Sequence, residues 1–125
     1  MFATLAQVAL GGALGASARY LTGAATRHLF GLGFPWGTLT VNVFGSLLMG
    51  LLVVALAKKG GNHFAPFLLI GVLGGFTTFS SFSLDAVALW ERGETAAAAA
   101  YVLGSVVLSI LALFAGMALM RWALP

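Results

Sequence analysis

The sequence predicts an all-α membrane protein with four transmembrane helices. Three observations carry that fold class. The chain is 61% hydrophobic with a mean hydropathy of +1.06. Only 7% of its residues are charged, against about 25% in a soluble domain. Its apolar residues also fall into four runs, each near the roughly 20 residues needed to cross a bilayer. At 125 residues the whole chain, 1–125, reads as one four-helix transmembrane domain whose surface faces lipid.

The first span is expected at about residues 4–26, closed by Arg27-His28. Ala16-Ser17-Ala18 resembles a signal-peptidase site, but no basic residue precedes the apolar run as a secretory leader requires. The second, about 36–57, opens at Pro35-Trp36 and closes at Lys58-Lys59; Pro suits a first helical turn and Trp the membrane interface. The third, about 65–90, starts around Phe64-Ala65-Pro66 and ends before Glu91-Arg92-Gly93. The fourth, about 95–121, ends at Arg121-Trp122. Short loops make consecutive helices antiparallel neighbours.

The third span is expected to break near its middle, at "GGFTTFSSF" (residues 74–82). Each Gly of Gly74-Gly75 costs about 1 kcal/mol relative to Ala in a helix. A broken helix is tolerated in lipid only where protein or a cavity covers the freed backbone. The break frees carbonyls that suit a cation and N–H groups that suit an anion, so the sign of an ion there stays open. A packing kink is the alternative.

Charge placement gives almost no orientation bias. The amino terminus, the loop from Lys58 to His63 and the carboxyl terminus share one side, with Lys58, Lys59 and Arg121; Arg27 and Arg92 lie opposite, with Arg19 able to snorkel there. Such a chain can insert both ways, which makes an antiparallel homodimer available. Four short helices enclose little volume, so a pathway would form at the boundary of a dimer. The net charge of +3 fits lipid headgroups and topology, not nucleic acid. The absence of cysteine excludes disulfides and thiolate chemistry. His28 and His63 fall near expected loops as solvated residues.

Polar groups at membrane depth face the bundle interior or a wet cavity. Thr38, Asn42, Gly45 and Met49 share one face of the second span. The Asn42 amide either donates to an anion or bonds a neighbouring helix. Tyr101, Ser105 and Ser109, extended by Ala112 and Gly116, form a hydroxyl stripe on the fourth; a lone serine can instead bond its own backbone. Phe79 and Phe82, three apart, share a face and either pack a core or turn their positive edges toward an anion. Gly11 and Gly15 form a GxxxG, with Gly45, Gly50 and Gly104 as further close-contact candidates. Asp85, late in the third span, is expected to snorkel or pair with a base. The first, second and fourth spans hold no carboxylate, which argues for passive conduction over proton coupling.

Three segments resemble the Fluc (CrcB) family of fluoride channels: "GGALGASARY" (11–20), "GTLTVNVFGS" (37–46) and "GVLGGFTTFSSFSLD" (71–85). Tyr101, Ser105 and Ser109 match the family's fourth helix. Ser81 stands where Thr is usual, which keeps the hydroxyl. The resemblance implies a dual-topology antiparallel homodimer in the bacterial inner membrane, with two fluoride pathways along the subunit boundary. It implies Phe79 and Phe82 as ring edges facing fluoride, Asn42 as amide donor, and Tyr101, Ser105 and Ser109 as a polar track. Thr38 would contribute and Arg19 would stand near an entrance. A structural Na⁺ would be held by backbone carbonyls of Gly74 and Thr77. A small four-helix multidrug exporter would need a carboxylate in the first span. A non-transporting scaffold would not need the Phe pair together with the hydroxyl stripe. An enzyme would need a nucleophile–base or metal-ligand cluster, and the sequence offers none.

Overall fold

A computed structural model describes residues 1–60 and 63–125, all of them helix, turn or coil, with no strand among the described residues. Residues 61 and 62, part of the expected loop between the second and third spans, lie outside the described residues. Helix α1 runs Phe2–Phe30 and α2 runs Trp36–Lys59. A π-helical segment, Pro66–Leu73, continues into a single turn, α3, Gly74–Phe76. After an interruption the chain resumes as α4, Ser80–Glu91, and ends in α5, Thr95–Ala123.

The ends follow from local chemistry. α1 passes Arg27 and exposed His28, both expected to lie at its end, because nothing stops it before Gly31 at φ 81, a conformation only glycine adopts at no cost. α2 closes on Gly60 in the left-handed region, with its N–H bonded back to Leu56 and Ala57 carbonyls. Lys58 and Lys59 sit in that last turn, where the helix dipole welcomes positive charge. Lys58 also reaches across to the carbonyls of Arg121 and Leu124 at the end of α5.

α2, the third span from Pro66 to Glu91, and α5 are each long and apolar enough to cross a membrane. α1, at 29 residues, has the length, roughly 43 Å at 1.5 Å per residue. It is less apolar because it carries Gln7, Ser17, Arg19, Thr22, Thr26 and Arg27.

The interruption lies later than the glycines suggest. Gly74 is helical at φ −62, ψ −37, and the chain becomes extended only at Thr77, φ −88, ψ 158. Gly75 is small because of its neighbour: a Cβ there would stand 2.8 Å from the Gly12 carbonyl oxygen. The π-helical geometry before it also went unread in the sequence; the Gly74 N–H bonds to Leu69 O, five residues back.

Glycine seams join the helices in two places. Gly11 and Gly15 of α1 press on the backbone of Phe67, Gly71 and Val72, while Gly50 and Gly116 let α2 and α5 touch backbone to backbone. Gly104 faces open space and belongs to no seam. A polar clip ties two loops: Arg92 pairs with Glu94 at 2.7 Å and donates to Gly33 O at 2.9 Å. Both side chains are half-exposed, so Glu94→Ala should cost no more than about 1 kcal/mol, read as a small shift in a thermal unfolding midpoint.

Candidate functional site

The interruption in the third span is held open by Asn42 of α2. Asn42 Nδ2 donates to Thr78 O at 2.9 Å, and the Thr78 N–H donates to Asn42 Oδ1 at 2.8 Å. Only one orientation of the amide makes both bonds. Gly45, one turn on, allows this approach, since a Cβ there would overlap the Thr77 methyl. The interhelical role of Asn42 is therefore realised, and its second Nδ2 hydrogen remains for another acceptor.

Backbone accounting shows what the opening leaves behind. Thr77 N–H and Oγ1 both donate to Leu73 O, at 3.0 and 2.9 Å, completing the last helical turn. The Ser81 N–H donates to Thr78 Oγ1 at 3.1 Å and starts α4. Arg19 Nε donates to Gly75 O at 3.0 Å. Among the described residues no hydrogen-bond donor reaches the carbonyls of Gly74, Phe76 or Thr77. Oxygens without donors at the negative end of a half-helix are the chemistry that takes a cation. Gly74 and Thr77 thus fit the carbonyl pair expected for Na⁺.

Asn42, Thr77 and Thr78 also border an open groove of about 380 Å³. Asn42, Phe79, Phe82, Ser105 and Ser109 all line it, together with Gly45 and Met49 from the expected face of α2. The rings of Phe79 and Phe82 stand 5.4 Å apart and tilted by 49°. Phe82 is buried against Tyr101 at 5.2 Å, while Phe79 is 76% exposed. Ser105 is buried and its Oγ has no hydrogen-bond partner. A buried hydroxyl without a partner is costly unless something else accepts its proton. No cationic side chain lines this groove.

Three expected residues stand elsewhere. Thr38 faces a second hollow of about 250 Å³ with Arg19, Arg27, Thr78 and Ser81. Arg19 lines that hollow while it holds Gly75 O, so its guanidinium serves the backbone at the break instead of snorkelling to the interface. Tyr101 is fully buried and its hydroxyl donates to Asp85 Oδ2 at 3.1 Å. Asp85 therefore takes a phenol as its partner, neither an arginine nor a lysine, because α4 and α5 bring these two side chains together. Sequence reasoning also passed over Thr78, whose backbone and hydroxyl organise both ends of the break. Its only signal was its place in the hydroxyl run.

The arrangement offers hydroxyl, amide and aromatic groups in one groove and carbonyl oxygens next to it. Among the described residues no cluster of His, Cys or acidic groups is placed to hold a metal by side chains. The model of the family described as CrcB-like protein, Camphor Resistance (CrcB), matches residues 6–117. The chain belongs to the CrcB family. It is similar to the fluoride-specific ion channel FluC of Cereibacter sphaeroides (strain ATCC 17029 / ATH 2.4.9), 65% identical over 121 residues and covering 97% of each chain. The channel of the same name from Paracoccus denitrificans is 60% identical over 118 residues, 94% of each chain. That from Ruegeria sp. is 54% identical over 125 residues, 99% of each. The CrcB match spans α1 through most of α5, so it covers every element that builds the break and the groove.

Proposed function

We propose that this chain is the subunit of a fluoride-selective channel, multi-pass in the bacterial inner membrane, that lets cytoplasmic fluoride leave passively and so relieves its toxicity. The observation that carries the proposal is the groove at the break, where Asn42, Phe79, Phe82, Ser105 and Ser109 converge around a buried serine hydroxyl without a partner. Near-full-length similarity to relatives named fluoride-specific channels supports the choice of ion.

Fluoride is small and holds its water tightly, so a conducting site must replace that water with several donors yet still release the ion. Serine hydroxyls, the second Asn42 hydrogen and the positive edges of two rings give graded polarity. No fixed cation lines the groove to trap the anion. Thr38 and Arg19, in the second hollow, would act at the entrance. Tyr101 would continue the track on exchanging its Asp85 partner for the ion.

All four long segments, α1 included, are taken as spans. The Arg19 bond to Gly75 O supports this for α1, because it gives that guanidinium an internal partner. The groove is open on one side, and Phe79 projects from it. A second copy in antiparallel orientation would close it, as the weak charge bias allows, and a symmetric pair would carry two pathways. Carbonyls of Gly74 and Thr77 would hold Na⁺ between the two breaks, and the ion would supply the positive charge that lets two negative half-helix ends meet.

The test is ion efflux from liposomes containing the purified protein. Fluoride should leave rapidly and chloride should not; a folded dimer that passes neither ion would remove the channel assignment.

A further inference from the structure

We infer that Asn42 is the positioning residue that creates the cation site, by taking the Thr78 N–H that would otherwise close onto the Gly74 carbonyl. The inference rests on the reading of Gly74 and Thr77 as cation ligands. In an unbroken helix the N–H of residue 78 bonds the carbonyl of residue 74. Here that N–H goes to Asn42 Oδ1 at 2.8 Å. The boundary is sharp, since the N–H one residue earlier, at Thr77, still makes its helical bond to Leu73 O.

The same side chain occupies the Thr78 carbonyl through Nδ2. One amide therefore satisfies both backbone groups of Thr78 and leaves the Gly74 oxygen without a donor. Asn42 also lines the anion groove. A single residue of α2 would thus set the geometry of a cation site and contribute a donor to the anion path that Thr77 and Thr78 also border. Side chains that orient ligands in this indirect way typically change metal affinity by about 10- to 100-fold when removed.

The experiment uses the full-length protein in detergent or lipid, with Asn42→Ala and Asn42→Asp. Dimer stability is titrated with Na⁺ against the large cation N-methylglucamine. The ¹³C shift of the Gly74 carbonyl is read by NMR as an independent report of its hydrogen bonding. In Asn42→Ala the Thr78 N–H should return to Gly74, moving that shift toward helical values, and apparent Na⁺ affinity should fall at least about tenfold. Asn42→Asp keeps the Oδ acceptor for the Thr78 N–H while giving up the Nδ2 bond to Thr78 O, and should keep the Gly74 shift.

A sodium response in Asn42→Ala equal to wild type overturns the inference, as does an unchanged Gly74 shift. Should Asn42→Ala fail to assemble, Asn42→Asp decides, and a Gly74 shift at helical values there overturns it. A wild-type dimer indifferent to Na⁺ removes the cation reading itself and the link to it. The Gly74 shift still judges whether Asn42 opens the break.

Discussion

Replacing Phe82 by Ile should remove most fluoride flux, up to about tenfold, while the proposed dimer stays assembled. Phe82 is buried, stacked at a tilt between Tyr101 and Phe79, and lines the groove. Isoleucine keeps an apolar side chain in the space, so packing against α5 survives. The loss is the positive ring edge. An edge-to-face contact between aromatic rings is worth roughly 0.5–1.5 kcal/mol beyond its buried area. A ring-edge contact to the ion of that order sets the scale of the loss, at about 1.4 kcal/mol of barrier per tenfold in rate. Liposome flux measured beside a crosslinking assay separates conduction from assembly. Wild-type flux in the variant would end the ring-edge mechanism.

Gly15→Ala should be the most damaging single-atom addition to the fold, about 3 kcal/mol or more of destabilisation, at the upper end of what overpacking costs. A methyl group at Gly15 would overlap Val72 O and stand 2.8 Å from Phe76 N. Backbone cannot swing aside as a flexible side chain can. The contact joins α1 to the stretch directly before the break, so a shift there would also pull Arg19 from Gly75 O. Gly104→Ala is the control: its methyl meets nothing within 4 Å, and it should be neutral. Thermal unfolding in detergent compares the two, and an unaffected Gly15→Ala would mean the α1 seam is looser than its geometry.

Much of the architecture was written in composition and spacing. Long apolar runs fixed where the helices lie, and Gly31 and Gly60 stop them only a few residues beyond the expected ends. The groove was legible because its residues recur at helical intervals on α2 and α5. The break falls inside the stretch expected to hold it but just past the glycines, since glycine carries two meanings in a sequence. At Gly75 it serves close approach to α1, and only its contact with Gly12 reveals that. The partners of Asn42 and Asp85 were beyond periodicity, which says which face a side chain occupies but not which distant group meets it. The partner of Arg19 lay beyond it for the same reason: an expected break does not say which side chain of another helix reaches its carbonyls.

The 76% exposure of Phe79 also bears on how such a protein is made. A chain newly released into the bilayer presents its groove to hydrocarbon, a medium no bare halide enters. On the pairing proposed above, the lone subunit, its pathway half-walled, would be an insulator. Leakiness would arise only on pairing, so synthesis itself puts no hole in the membrane, and the number of conducting units is governed by encounter between subunits.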